Sequence, residues 1–262
     1  MNPIINIAIR AARKAGTLLN RFYESTDFSY IKKKNIFYIN YITKLVKNLI
    51  ISIINKSYPT HNILGYKNNN IKNKSIQWII NPIDSETNFI KKFPHFSISI
   101  SLIIKDITEL CVIYDPIKND MFTASRGKGA YLNGVRIRCG INKKLDNTII
   151  SSNFLFKNKK YYKIYFDLFK KIFANNICLR STGSTSLDLS YVASGKIDGY
   201  FEMRIKPINF ISGDLIVRES GGLITDFAGE NNYFINGNIL AGNLKIVKSL
   251  MYYTNIIKNN NY

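Results

Sequence analysis

The chain is poor in acidic residues. Aspartate and glutamate number 17 among 262 residues, against 37 lysines and arginines, so the formal net charge is +20. A surface with this excess attracts polyanions, RNA above all, because lysine and arginine neutralise phosphates and release counterions. Nucleotide bias in the gene is the alternative explanation, because lysine, asparagine, isoleucine and tyrosine are abundant together. The charge therefore leaves RNA contact and compositional drift both open.

Cysteine and histidine are scarce, and long apolar runs are missing. Cys111, Cys139 and Cys178 are odd in number and lack CxxC spacing, which argues against a disulfide framework or a zinc site and favours a reducing cytoplasm. His61 and His95 have no second ligand at metal-binding spacing and are predicted to be packing residues. Neither a run of eighteen apolar residues nor a signal-peptide pattern occurs, so we expect no membrane span and no leader.

Six prolines and a hydrophobic content of 46% predict a globular protein. No internal repeat or stable linker divides the chain, so a single domain over residues 1–262 is predicted. Periodicity predicts helices over 3–23, 43–55, 161–173, 186–194, 210–220 and 244–253, and a basic surface loop over 66–75. Strands are predicted over 77–80, 97–104, 109–114, 121–125, 199–202, 223–226 and 238–241. Helices at both ends of a strand-rich middle predict a layered α/β sandwich.

The segment Trp78–Phe89, WIINPIDSETNF, has the form of a metal-binding phosphatase loop that has lost most of its carboxylates. A two-metal phosphatase needs several carboxylates, because Mg²⁺ prefers charged oxygen ligands in octahedral array. An Asp-Pro-Ile-Asp-Gly-Thr turn after an apolar strand would supply two of them. Here Asn81, Ser85 and Glu86 replace the first Asp, the Gly and the Thr. Asp84 alone keeps a charged ligand, so the segment predicts a site that retains its shape but little of its charge.

Further short motifs occur in a fixed order along the chain. They are AARKAG at 11–16, KSYP at 56–59, PHFS at 94–97, TASRGKGA at 123–130, TGS at 182–184, LDL at 187–189, YVASG at 191–195, KPIN at 206–209, ESGG at 219–222 and GNILAGN at 237–243. With Trp78–Phe89, they resemble the inositol monophosphatase family over nearly the whole chain, and its bacterial SuhB branch most closely. The resemblance implies an αβαβα sandwich, a homodimer and Mg²⁺ as the cofactor.

The same resemblance implies a degraded metal site. Asp84 and the backbone carbonyl of Ile83 stand at retained metal-binding positions. The family's other acidic ligands fall on Tyr66, Asn81 and Asn209, and its second glutamate of the Glu-Glu pair falls on Lys67. Amide oxygens lack the charge that offsets Mg²⁺ dehydration, and a nearby ammonium adds repulsion. We therefore expect weak metal binding and little or no phosphatase activity.

Catalytic and substrate positions are implied in the same way. Thr43 and Glu86 fall on the positions that activate water in the family. The implied substrate-binding positions are Ser85, Glu86, Arg180, Glu202 and Asn209. For Glu202 and Arg180 the alternative is a surface or interface salt bridge.

Two further assignments are also open. Asp84 could instead cap the helix that follows its own turn. The basic segment Tyr30–Lys34 could be a nucleic-acid patch or a solvated charged face.

Two functions of different classes follow from the resemblance. The SuhB branch is known as an inositol-1-phosphatase and as a Nus factor, which joins NusA, NusB, ribosomal protein S10, NusG and RNA polymerase in the antitermination complex on ribosomal RNA. Preserved scaffold motifs with lost ligands favour a non-catalytic Nus factor that supports ribosome biogenesis, with RNA binding and chaperone action as accompanying expectations. The alternative is a Mg²⁺-dependent phosphatase that recruits Glu86 or Asp115 as ligands. A pseudoenzyme that binds phosphorylated ligands or RNA is a third hypothesis.

Overall fold

The secondary structure follows from a computed structural model that describes residues 3–25, 35–64, 73–142, 144–153, 162–173 and 176–258. The helices in these residues are α1 Pro3–Glu24, α2 Asn35–Ser57, α3 Glu86–Ile90, α4 Tyr162–Phe173, α5 Thr185–Ala193, α6 Pro207–Glu219, α7 Tyr233–Asn236 and α8 Leu244–Lys258. The strands are β1 His61–Ile63, β2 Asn73–Asp84, β3 Ser97–Ile104, β4 Ile107–Asp115, β5 Asp120–Ser125, β6 Gly129–Leu132, β7 Val135–Arg136, β8 Ile149–Ser151, β9 Cys178–Arg180, β10 Gly199–Glu202, β11 Leu223–Thr225 and β12 Ile239–Gly242.

The strands form two sheets. The first has seven strands in chain order, β1 to β7, and the second has five in the order β11-β12-β10-β8-β9. Helices α1 and α2 pack on the outer face of the first sheet, α5 and α6 lie between the sheets, and α4 and α8 pack on the second. This arrangement confirms the predicted αβαβα sandwich.

Strand β3 shows how the sequence sets up the layers. Its isoleucines and leucine alternate with serines, so the two residue types face opposite sides of the sheet. Ile98 and Ile100 are buried in the core with α1 and α2. On the other face, Ser101 Oγ lies 2.7 Å from Ser212 Oγ of α6. The small serine side chains therefore face the central helix layer.

Helix α2 is longer than the predicted helix over 43–55, since it begins at Asn35. Its buried positions, including Ile39, Ile42 and Val46, pack in the core shared with α1 and β2. By length and composition alone, Phe37–Ser57 is also apolar enough to cross a membrane. Core helices pass the same criterion, so this is weak support for a span.

Strand β2 corrects two sequence-based expectations. It begins at Asn73, so the described end of the predicted surface loop over 66–75 belongs to a strand. It also continues through Asp84, where we had expected a turn. Asn81 pairs with Ser99 and Asp84 with Ser97, so three steps along β2 oppose two along β3. The extra residue makes a bulge, which accommodates a proline because that position needs no ladder hydrogen bond.

Candidate functional site

The carboxylate of Asp84 lies at the end of β2, against the first turn of α5, and is 5% exposed. Its Oδ2 accepts hydrogen bonds from Ser184 Oγ at 2.7 Å and from the Ser186 backbone N–H at 2.9 Å. Its Oδ1 lies 3.4 Å from Asn81 Nδ2, which donates a long hydrogen bond. Asp84 therefore caps α5, a helix distant in sequence. The alternative that it caps the helix after its own turn, α3, is wrong.

The start of a helix suits this carboxylate. Unpaired backbone N–H groups and the positive end of the helix dipole stabilise an anion there. Burial nevertheless raises the pKa of Asp84, and the hydrogen bonds from Ser184 and Ser186 act against that rise. Both carboxylate oxygens are thus engaged within the protein.

Two of the predicted lost-ligand positions converge on the same place. Asn81 is buried beside Asp84, and Ile83 is buried in the first-sheet core. Asn209 lies in the first turn of α6, and its backbone carbonyl accepts a hydrogen bond from Ser186 Oγ at 3.1 Å. Ser186 therefore connects the Asp84 carboxylate to the start of α6. Tyr66 and Lys67 lie outside the described residues, as does the basic segment Tyr30–Lys34.

These residues do not fit a pair of Mg²⁺ ions. One buried carboxylate and two amides supply little negative charge, and hard divalent cations prefer several carboxylates. Within the described part of the chain, no three or more His, Cys, Asp or Glu side chains are grouped so that they could hold a metal. A metal at Asp84 would also compete with the hydrogen bonds from Ser184 and Ser186.

The two predicted water-activating residues are in contact. Thr43 of α2 donates a hydrogen bond from Oγ1 to Glu86 Oε1 of α3, at 3.3 Å. Glu86 is exposed and Thr43 is half-buried. A carboxylate and a hydroxyl thus remain paired at these positions, although each stands where the family has the other. The contact is a structural fact, and the role in activating water stays a prediction.

Ser85 joins β2 to α3 with φ at +73°. This left-handed conformation favours glycine, because a Cβ atom is crowded there. A Cβ atom on Gly183 would lie 3.2 Å from Ser85 Oγ, so the Ser85 side chain packs closely against the backbone of Gly183. Ser85 therefore adopts the backbone conformation that a glycine would adopt in this turn.

Glu202 lies deeper, where β10 meets α5, and is 2% exposed. Its Oε2 accepts hydrogen bonds from Tyr200 OH and, at 3.1 Å, from Thr185 Oγ1. Burial, with smaller contributions from the carboxylates of Asp188 and Asp84, raises the pKa of Glu202 to about 8, although the hydrogen bonds from Tyr200 and Thr185 lower it. Glu202 is therefore a buried acid that shares its environment with hydroxyl groups, and it is not a surface salt bridge.

Asp188 is a buried acid that the sequence analysis missed. Its carboxylate accepts hydrogen bonds from Thr182 Oγ1 at 2.8 Å and from Asn153 Nδ2 at 3.0 Å. Burial, with a smaller contribution from the Asp84 carboxylate, raises the pKa of Asp188 to about 7. An aspartate between two leucines in a helix is the signal that could have found it, because an acid at such a position is buried with its apolar neighbours.

Arg180 and Asp115 also differ from their predicted settings. Arg180 is exposed, and its Nη1 donates to the Leu179 carbonyl at 3.0 Å. The ion pairs within the described chain are Lys118–Asp115 and Arg218–Asp214, so Arg180 forms no salt bridge there. Asp115 Oδ1 accepts the backbone N–H groups of Ile117 and Lys118 at 2.9 and 3.1 Å. Its carboxylate belongs to its own turn, which makes it a poor replacement metal ligand.

Comparison with known proteins places this geometry in a family. A model of the inositol monophosphatase family matches residues 1–257. Nus factor SuhB from Escherichia coli (strain K12) is 45% identical over 255 residues, which cover 96% of this chain and 95% of that protein. Nus factor SuhB from Haemophilus influenzae is 44% identical over 254 residues, with the same 96% and 95% coverage.

Solved structures agree. The extragenic suppressor protein suhB from Bartonella henselae superposes with a TM-score of 0.84 at 29% identity, and covers 96% of this chain and 99% of its own. An IMPase from Thermotoga maritima superposes with a TM-score of 0.81 at 26% identity, over 98% of each chain. Fold, motif order and sequence identity agree over nearly the full length. The chain belongs to the inositol monophosphatase family.

Proposed function

We propose that this protein is a Nus factor of the SuhB type, which acts by assembly in ribosomal RNA transcription antitermination and has little or no phosphatase activity. The relatives named Nus factor SuhB, at up to 45% identity over 96% of the chain, support the role. The proposal of little or no phosphatase activity rests on one observation. The carboxylate of Asp84 accepts hydrogen bonds from Ser184 and Ser186, and asparagines stand at two positions where the family has acidic ligands.

Hydrolysis of a phosphomonoester in this family depends on charge at the site. Two bound Mg²⁺ ions would polarise the phosphate, lower the pKa of the attacking water and stabilise the leaving oxygen. Among the family's metal-binding positions in the described residues, only Asp84 keeps a carboxylate, and its Oδ2 already accepts from Ser184 and Ser186. Loss of cooperating catalytic groups costs orders of magnitude in rate. We therefore expect that this chain lacks the family's phosphomonoester hydrolysis.

The proposed partners are those of the antitermination complex: NusA, NusB, ribosomal protein S10, NusG and RNA polymerase, in the cytoplasm. We propose a homodimer as the assembling unit. Light scattering at micromolar concentration should then give twice the 30.1 kDa mass of one chain. A mass of one chain under those conditions would contradict the dimer.

A two-part assay tests the proposal. The purified protein should release negligible phosphate from inositol phosphate with Mg²⁺, and turnover of about 1 s⁻¹ or faster would contradict the non-catalytic part. In a reconstituted antitermination system, omission of the protein should abolish read-through. The variants Tyr66→Glu, Asn81→Asp and Asn209→Asp, alone or combined, should leave read-through unchanged. Read-through that depends on the restored carboxylates, or persists without the protein, would refute the assembly role.

The contact between Thr43 and Glu86 favours a second candidate, a Mg²⁺-dependent phosphatase with a shifted ligand set. An exposed carboxylate beside a hydroxyl could orient a water molecule. If that candidate holds, Glu86→Gln should remove phosphate release while the matched exposed change Glu24→Gln does not. If the wild-type protein releases no phosphate, this candidate is excluded and the proposed Nus factor role is unaffected.

A further inference from the structure

The outer helix layer carries positive charge with almost no acidic residues. Helices α1 and α2 together contain seven lysines and arginines, namely Arg10, Arg13, Lys14, Arg21, Lys44, Lys47 and Lys56, and one acidic residue, Glu24. Arg10, Arg13, Lys14 and Thr17 lie on one side of α1, because residues three, four and seven apart share a helix face. All four are exposed. This face belongs to the outer helix layer, whereas the α5 start that binds Asp84 lies on the other side of the first sheet.

Three adjacent cavities lie along this face. The first, of about 630 Å³, lies between α1 and the strands β5 and β6, with Lys128 and Tyr131 in its wall. The second, of about 480 Å³, follows α1 and shares Ile9 and Arg13 with the first. The third, of about 670 Å³, lies between α1 and α2 and shares Arg10 and Lys14 with the second. The shared lining residues make the three cavities neighbours along α1, and we call this surface the α1 groove.

The cations of the α1 groove are not neutralised by carboxylates of the described chain. Its ion pairs are Lys118–Asp115 and Arg218–Asp214, and neither involves a groove residue. Two acids near the first cavity bind neutral donors instead. Asp120 accepts from Asn133 Nδ2 at 3.1 Å, and Glu219 accepts from the backbone N–H groups of Gly127 and Gly129 at 2.8 and 2.7 Å. Within the described ranges, the groove therefore presents positive charge without carboxylate partners.

The walls of the first cavity also contain aromatic, apolar and amide side chains. Tyr131 provides an aromatic ring, Ile9 and Met121 provide apolar contact, and Asn119 and Asn133 provide amide groups. Single-stranded nucleic acid is bound by this combination, with cations along the backbone and an aromatic ring against an unstacked base. A duplex keeps its bases stacked inside and cannot place one in a cavity of this kind.

We propose that the α1 groove binds single-stranded RNA, with Arg10, Arg13, Lys14 and Lys128 on the phosphates and a base beside Tyr131. The inference rests on the proposed function for the source of the strand, which would be the nascent ribosomal RNA. Binding itself is a property of the groove and is measured without the transcription complex. This surface also gives a specific location to part of the net charge of +20.

Fluorescence anisotropy with a labelled, unstructured RNA of about a dozen nucleotides tests the proposal. The triple variant Arg10→Gln, Arg13→Gln, Lys14→Gln should bind at least about tenfold more weakly near physiological salt. Its plot of log affinity against log salt should lose about 2 units of slope, because each phosphate contact on a single strand contributes about 0.7. The matched control is Lys170→Gln, Lys245→Gln, Lys248→Gln, which removes the same charge from the opposite outer layer and should change affinity less than about twofold.

Tyr131→Ala supplies an independent readout. It should weaken RNA binding by about fivefold or more with the salt slope unchanged, because stacking involves no counterion. Thermal melts should show that each variant is folded. Equal weakening by the two triple variants, or equal binding of single-stranded and duplex RNA, would overturn the proposal. So would RNA binding that survives the α1 triple variant while NusA or RNA polymerase binding is lost, since the groove would then belong to a protein partner.

The outcomes for the groove and for the proposed function are separable. If the wild-type protein binds no RNA but read-through still requires it, the groove proposal alone fails. If RNA binds in the groove but read-through does not require the protein, the proposed function fails.

Discussion

Ser184 Oγ donates a 2.7 Å hydrogen bond to Asp84 Oδ2 between residues 100 positions apart. The bond joins the end of β2 in the first sheet to the start of α5 in the central layer. In a metal-dependent relative, the oxygens at this position would face cations. Here the protein's own donors occupy them, so the Asp84 carboxylate forms part of the packing between layers.

Removal of that donor should destabilise the fold. Ser184→Ala leaves a buried carboxylate oxygen with one fewer partner, and we expect the free energy of unfolding to fall by about 1–3 kcal/mol. Denaturant titration measures the change. Ser181→Ala, at an exposed position three residues earlier, should change the free energy by less than about 0.5 kcal/mol. Similar effects from the two substitutions would show that the bond to Asp84 contributes little.

Glu202 should make stability depend on pH. Its pKa is about 8 in the fold and 4.5 ordinarily, so between these values the folded state holds a proton that the unfolded state releases. Stability therefore falls as pH rises through this window, by up to about 1.4 kcal/mol per pH unit. Glu202→Gln should reduce the dependence between about pH 6.5 and 8.5, where histidine contributes little and Asp188, with a pKa of about 7, supplies part of the remaining slope.

The matched variant for that experiment is Glu24→Gln, which changes an exposed glutamate at the end of α1. It should keep the wild-type slope of unfolding free energy against pH. If Glu202→Gln and Glu24→Gln give the same slope, Glu202 is ionised in the fold at neutral pH. Burial would then not raise the pKa of Glu202 as expected.

His95 should titrate far below the ordinary range of histidine in NMR spectra. Burial, and then the Lys118 ammonium, lower the pKa of His95 to about 4, while burial also lowers the pKa of His61. The chain has two histidines, so each ring gives an assignable C2 proton signal. The His95 signal should stay at its neutral position down to about pH 5.

The sign of the His95 effect is opposite to that of Glu202. A lowered pKa means that the unfolded state takes up the proton first, so stability falls as pH drops from 6.5 towards 4. A His95 midpoint near 6.5 in the folded protein would show that the ring is accessible to water.

Ser85 should tolerate glycine and reject a branched side chain. Its φ of +73° is strained for any residue with a Cβ atom, and most of all for a β-branched one. Ser85→Val should lower the free energy of unfolding by about 1–3 kcal/mol, while Ser85→Gly should change it by less than about 1 kcal/mol. Thr87→Val, an exposed change within α3, is the control. A harmless Ser85→Val would mean that the turn adopts another conformation.

Long periodic elements could be predicted from the sequence, and short ones could not. The serine and isoleucine alternation located β3 at Ser97–Ile104 without error. Strands β1, β8 and β9 have three residues each, too few to show a period of two, and were missed. Helix α2 was placed too late in the chain because its first residues are aromatic and polar without a capping signal.

The sequence motifs were enough to predict which residues share a site. Asn81, Asp84 and Asn209 were assigned to one site, and the fold brings them to the first turns of α5 and α6. The raised pKa values of Asp188 and Glu202 were not predictable. They depend on burial by residues from several elements, and the sequence does not show which of them meet.

The strand order of the first sheet has a consequence for synthesis on the ribosome. All seven strands follow one another in the chain, so the sheet is complete once Arg136 has emerged. The second sheet needs β12, close to the end of the chain. We expect ribosome-bound chains that expose the first sheet alone to resist protease there, since neighbouring strands pair at low loop-closure cost. Asp84 would then face water until α5 is translated. The docking of α5 onto Asp84 would be the step that joins the first sheet to the rest of the fold.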